Sequence, residues 1–140
     1  MKFLQSIPAL PARDQDRSTE FYRDRLGFTV AYRQEGFTKL VRDVVELHLW
    51  VANDEAWRSR EGSTPVVSGA ESFIAGTHSC RIRIEGVDAL YRDLEPQGIV
   101  HPNGKIADMP WGTREFGVLD PDGNLVTFFE RSIKPASHAP

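Results

Sequence analysis

The sequence predicts an α+β fold built from two βαβββ modules that form a cleft. The first observation behind this is a repeat. Phe21-Tyr22-Arg23-Asp24-Arg25-Leu26-Gly27-Phe28 returns about half a chain later as Leu90-Tyr91-Arg92-Asp93-Leu94, with Gly98-Ile99 close behind. Self-similarity of this kind marks two copies of one supersecondary unit, neither able to bury its apolar face alone. The second observation is order, because each helical segment follows one strand-like run and precedes three more. The third is size: 140 residues with 40% hydrophobic and 26% charged side chains suffice for one domain with its own core. A paired arrangement leaves a cleft, the usual place for a ligand.

The elements follow in order. Phe3 to Leu10 reads as the first strand, with Pro8 and Pro11 confining it to an edge or an arm, since proline donates nothing to a ladder. The first helix is expected from about Asp16 to Arg25, stopped by Gly27. Strands are expected at Thr29–Arg33, Thr38–Arg42 and Val44–Val51. In the last, Val45, Leu47, Leu49 and Val51 alternate with Glu46, His48 and Trp50, the period of a half-buried strand. Residues 52–78, rich in Ser, Gly, Glu and Pro around Trp57 and Phe73, read as a long loop, either a lid or a loop with a small core of its own.

The second module opens with Ser79–Glu85, where Ile82 and Ile84 alternate with Arg81 and Arg83. A helix is expected over Val87–Leu94, ending before Pro96. Ile99–His101 and the stretch after Asn103-Gly104 suggest a hairpin-like connection. Strands at Glu115–Leu119 and Leu125–Glu130 flank the turn Asp120-Pro121-Asp122-Gly123-Asn124, in which Pro presets φ and Gly supplies a positive one. The modules thus divide near 1–52 and 79–131 within one domain ending at 131, with 132–140 as a frayed tail.

Composition narrows the function. A net charge of −3 disfavours nucleic acid as a partner and permits a cationic one. No apolar run approaches the roughly 18 residues of a membrane span, and the N-terminus lacks a secretory apolar core. The lone Cys80 excludes an internal disulfide and suits a reducing, cytoplasmic compartment. Its parity between Ser79 and Arg81 makes it a small buried hydrophobe rather than a nucleophile. No phosphate-cradling Gly-rich loop, Ser-His-Asp set or zinc-type cysteine pair is present.

With Ala12-Arg13-Asp14, Glu20-Phe21-Tyr22, Arg25-Leu26-Gly27-Phe28, Pro110-Trp111-Gly112-Thr113-Arg114-Glu115-Phe116 and Asp120-Pro121-Asp122-Gly123-Asn124 in view, the chain resembles the vicinal oxygen chelate superfamily over about residues 3 to 131. That group includes glyoxalase I, extradiol dioxygenases and bleomycin resistance proteins. The Pro-Trp-Gly-Thr-Arg-Glu-Phe piece is similar to the bleomycin resistance branch in particular. The resemblance implies a homodimer with exchanged N-terminal strands, crossing near Pro8, that sequesters a bleomycin-type glycopeptide without catalysis or cofactor. It further implies that Phe37 and Trp111 contact the drug's planar end.

Enzymes of the superfamily hold a divalent metal, and the equivalent positions here are Ile7, Ser79 and Thr127. An alkyl group cannot ligate, and neutral hydroxyls are poor ligands for such an ion, so no metal is expected. The rival reading is a metal-dependent lyase, dioxygenase or thiol transferase, or a binder of another planar metabolite. Strand parity places Glu46, His48, Trp50, Arg81, Arg83 and Phe129 on the cleft side. Gly112, Arg114 and Phe116 join the candidate ligand set through the Trp111 motif. Structural alternatives remain open: Trp111 as a loop anchor, Phe37 as core edge, Trp50 as an interface residue, Arg81 and Arg83 as partners of Glu46, and Arg114-Glu115 as an ion pair beneath the turn.

Overall fold

A computed structural model describes residues 1–52 and 75–132. The expectations for Trp57, Phe73 and the tail from 133 on lie outside the described residues. The chain divides into two units, one of residues 1–78 with 121–124 and one of residues 79–120 with 125–140.

In the first unit, β1 (Ala9–Ala12), α1 (Gln15–Asp24), β2 (Thr29–Gln34), β3 (Phe37–Arg42) and β4 (Val45–Val51) form a sheet of order β1-β4-β3-β2 with a single helix. β1 runs parallel to β4, and the remaining pairs are antiparallel. The helix starts one residue earlier than expected because Asp14 caps it, its carboxylate accepting from Arg17 N at 3.0 Å. Tyr22 of α1 is wholly buried, packed edge-on against Phe28 at 6.1 Å, over a sheet face made by Leu10, Leu40, Leu47 and Leu49. Gly27 ends the segment at φ +73, where a side chain would also press on the Arg42 guanidinium that donates to Leu26 O at 2.7 Å.

The expected first strand is corrected. Pairing begins only at Ala9, opposite His48, and Phe3 and Leu4 are 92% and 83% exposed. Apolar Phe3, Leu4 and Ile7 read as a strand, but among the described residues the first seven belong to no sheet. Pro11 is tolerated within β1 because that strand is the sheet's edge.

The second unit repeats the plan with β5 (Ser79–Arg83), α2 (Val87–Leu94), a 3-10 turn at Glu95–Gln97, β6 (Ala107–Asp108), β7 (Thr113–Leu119) and β8 (Leu125–Arg131). Its order is β5-β8-β7-β6, again with the first strand parallel to the last. The duplication read from the Tyr-Arg-Asp repeat is therefore real. Gly86 at φ +89 offers α2 no side-chain cap, and Glu130 Oε2 takes the Val87 N–H at 3.0 Å instead. Ile82, Val87, Leu94, Phe116, Val118, Val126 and Phe128 form the core. Between Val100 and Ala107 the edge of the sheet is irregular, holding β7 through a bridge from Val100 to Val118.

The Asp120 turn does more than reverse the chain. Asp122 accepts from Arg13 N at 3.1 Å and from Ser18 Oγ at 2.9 Å. Fully buried Asn124 donates to Pro11 O at 2.8 Å and accepts from Gly76 N at 3.1 Å. Residues 121–124 thereby join the first unit, clamping β1, the start of α1 and the segment before β5. No helix among the described residues is long and apolar enough to cross a membrane.

Candidate functional site

Side chains alternate across each sheet, so the face opposite the helix is set by the same residues that build the core. In the first unit Leu47 and Leu49 turn to the core, and Glu46, His48 and Trp50 take the other face. The register pairs Phe37 with Trp50 and Lys39 with His48, which brings four rings together. Phe37 lies 4.8 Å from Trp50, 5.0 Å edge-on from His48 and 6.2 Å from Tyr32. His48 Nε2 meets Glu46 Oε2 at 2.6 Å, and Lys39 Nζ stands 3.7 Å from the other Glu46 oxygen. Phe37, Glu46, His48 and Trp50 thus form one patch. Sequence reasoning missed Tyr32 and Lys39, although the alternation of β2 and β3 carries both.

In the second unit Arg81, Trp111, Glu115 and Phe129 assemble on the face opposite α2. The Arg81 guanidinium sits 4.7 Å over the Phe129 ring and grips Glu115 with two hydrogen bonds, Nη2 to Oε2 at 2.7 Å and Nη1 to Oε1 at 3.2 Å. Thr113 Oγ1 donates to Oε2 at 2.7 Å, and the Trp111 indole N–H reaches the same oxygen at 3.4 Å. Gly112, at φ +88, makes the turn that displays Trp111, whose exposure is 57%. Arg83 is exposed on the Arg81 side of β5, in register with Phe129. Alongside lies a half-open cavity of about 200 Å³ lined by His101, Asn103, Lys105, Met109, Glu115 and Thr127.

Two of the expected contact residues lie on the helix side of β7, and one open alternative resolves differently. Phe116 is 1% exposed, its ring against Tyr91 and Phe128, so it is core and offers a ligand no side chain. Arg114 shares its side of β7 and holds Asp88 at the start of α2 and Asp108 of β6, at 2.9 and 3.3 Å. Both faults arise from treating the Trp111 motif as one block, whereas a strand sends neighbours to opposite faces. Arg81 has a partner within its own unit, Glu115, two strands away across β8.

Hydrogen bonds from Arg81, together with one from Thr113, hold the Glu115 carboxyl below its ordinary range against the opposing effect of burial. A depressed folded value means the pair's stabilisation is present above the unfolded pKa, roughly 4.3, and is lost only as pH falls through the lower folded value. A carboxyl 13C NMR titration is expected to place the Glu115 midpoint below that of an exposed glutamate. A midpoint at or above it would mean the Arg81 grip does not persist in solution. Burial pushes the Cys80 thiol up to about 11, with Asp120 adding to the effect, so a thiolate is scarce near neutrality.

A divalent metal of the superfamily type does not fit the residues present. Ile7 lies in the exposed arm, and Ser79 and Thr127 offer only hydroxyls. Among the described residues no three His, Cys, Asp or Glu side chains gather as a metal site. His78 neighbours Ser79, and its Nδ1 lies 3.0 Å from Thr77 Oγ1.

Comparison with known proteins gives a consistent result. Residues 6–128 match the family model described as the glyoxalase/bleomycin resistance protein/dioxygenase superfamily. Bleomycin resistance proteins from Geobacillus stearothermophilus and Staphylococcus aureus are 54% identical over 128 residues, covering 91% of this chain and 97% of theirs. The crystal structure of a bleomycin resistance determinant encoded on the transposon Tn5 superposes with a TM-score of 0.66 at 25% identity, over 94% of this chain and 100% of that one. A bleomycin-binding protein complexed with bleomycin gives 0.64 at 25% identity, over 93% and 100%.

Proposed function

Since the chain belongs to the glyoxalase/bleomycin resistance protein/dioxygenase superfamily, and within it to the bleomycin resistance proteins, we propose that it binds and sequesters a bleomycin-type glycopeptide and so confers resistance without catalysis. The observation that carries this reading is the pair of aromatic, charge-bearing faces where a metal enzyme would present ligands. Phe37, Trp50 and Trp111 offer flat surfaces for a planar heteroaromatic group. Glu46, His48, Arg81 and Arg83 offer polar contacts beside them. Such a surface suits the retention of a large polar ligand with planar groups. The lone buried Cys80 suits a cytoplasmic setting.

Calorimetric titration tests this directly. Bleomycin, metal-free and copper-loaded, is expected to bind with one drug per chain, and the drug is expected to be recovered unaltered. Absence of heat and of any spectral change with both forms would defeat the reading. Elemental analysis of protein purified without chelators is expected to find no stoichiometric divalent ion. One zinc, nickel or iron per chain would favour an enzyme instead.

The same reading makes the protein a homodimer that exchanges residues 1–8 between subunits. Phe3, Leu4 and Ile7 are large apolar side chains held in water in the single chain, a cost that a partner's surface removes. Pro8, just before β1, interrupts pairing where the arm departs. Sedimentation at micromolar concentration is expected to give about twice the 15.8 kDa chain mass, and deletion of residues 1–7 is expected to weaken association. A 15.8 kDa species from the full chain would refute exchange.

A further inference from the structure

We infer that Glu115 is the positioning residue of the drug-binding face of the second unit, its carboxylate fixing the Trp111 indole and the Arg81 guanidinium in the orientation in which they meet the ligand. The inference rests on the bleomycin-binding reading and adds to it the group that orders the contact residues beforehand. The Glu115 side chain is only 7% exposed, whereas Arg81 is 48% exposed and Trp111 57%. Glu115 itself presents little surface, so its main action is through these two side chains.

The donors converge in a way that a simple ion pair does not require. Both Arg81 amino groups, the Thr113 hydroxyl and the Trp111 N–H all end on this carboxylate. Arg81 is long and rotatable, and Trp111 stands on the turn at Gly112 just before β7, more than half exposed. Held at one edge by Glu115 and lying over Phe129, the guanidinium becomes a fixed plate instead of a mobile chain. Ordering such groups before binding removes a cost otherwise met on association. The carboxylate also balances the Arg81 charge, so the plate can stack on a planar polar ligand without a strong preference for anions.

The test compares bleomycin titrations of wild type, E115Q, W111A, R81A and the double variants E115Q/W111A and E115Q/R81A. E115Q keeps the volume but puts an amide N–H against the donors. It is expected to weaken binding about tenfold in wild type and by visibly less on each truncated background, since coupled residues are non-additive. Equal losses on all three backgrounds would overturn the inference. A second readout needs no drug: in protein labelled with 5-fluorotryptophan, the 19F resonance assigned to Trp111 through W111F is expected to shift and broaden in E115Q, with that of Trp50 unchanged. An unmoved Trp111 resonance would overturn it as well. If E115Q does not fold, T113V removes one donor from the same oxygen and is expected to reproduce the pattern in smaller measure, and no change in affinity or resonance would count against the role. A wild-type chain that binds no bleomycin would defeat the drug reading, and the 19F result alone would then decide whether Glu115 holds Trp111.

Discussion

Asn124→Ala is expected to lower the stability of the protein by about 2–4 kcal/mol, seen as an earlier midpoint in urea with an unchanged slope. Asn124 has no solvent exposure, and both ends of its amide are used, the Nδ2 group on Pro11 O and Oδ1 on Gly76 N. Alanine removes both ends of the amide at once, taking these bonds from a buried carbonyl and from the part-buried N–H groups of Gly76 and His78. Each such group costs about 1–3 kcal/mol when water cannot reach it. The approach is already close, since a Cβ at Gly76 would stand 2.9 Å from Asp122 O. Asn124→Asp is expected to do no better, because it keeps the acceptor but sets a negative oxygen against the Pro11 carbonyl. A loss below about 0.5 kcal/mol for both variants, the range of an ordinary surface change, would show that the clamp contributes little.

The contrast between what was legible and what was not follows from which signals are local. The alternation Val45-Glu46-Leu47-His48-Leu49-Trp50 exposed the two faces of β4 directly, because α1 covers one face and leaves the other. The helix at Val87–Leu94 was equally plain, bounded by Gly86 and Pro96. Phe3 to Ile7 misled because exposed apolar residues in an arm have the composition of a strand, and only pairing distinguishes the two. The turn at Asp120 was legible as a turn and illegible as a clamp, since nothing local says that Asn124 reaches back to Pro11. Glu115 was passed over for a similar reason. Its partner Arg81 comes from β5, and only the order β5-β8-β7 brings the two together. Phe129, by contrast, followed from the parity of β8 alone.

Trp111→Ala is expected to weaken bleomycin binding by about 1–3 kcal/mol, the size of a stacked aromatic anchor, while barely moving the melting temperature of the free protein. The asymmetry comes from where the indole sits. The residue is 57% exposed on a turn after Pro110, and its one described bond is a long 3.4 Å contact to Glu115. Truncation therefore sacrifices little burial in the unliganded chain, and Thr113 and Arg81 still satisfy the carboxylate it leaves. A large exposed aromatic is costly to solvation unless something covers it. If the drug is the cover, calorimetry loses affinity and differential scanning calorimetry sees almost nothing. If the partner subunit is the cover, the order reverses: the dimer dissociates or melts early, while drug affinity per folded dimer survives. That second outcome would make Trp111 an interface residue and leave the Phe37–Trp50 patch, among the described residues, as the aromatic surface for the drug.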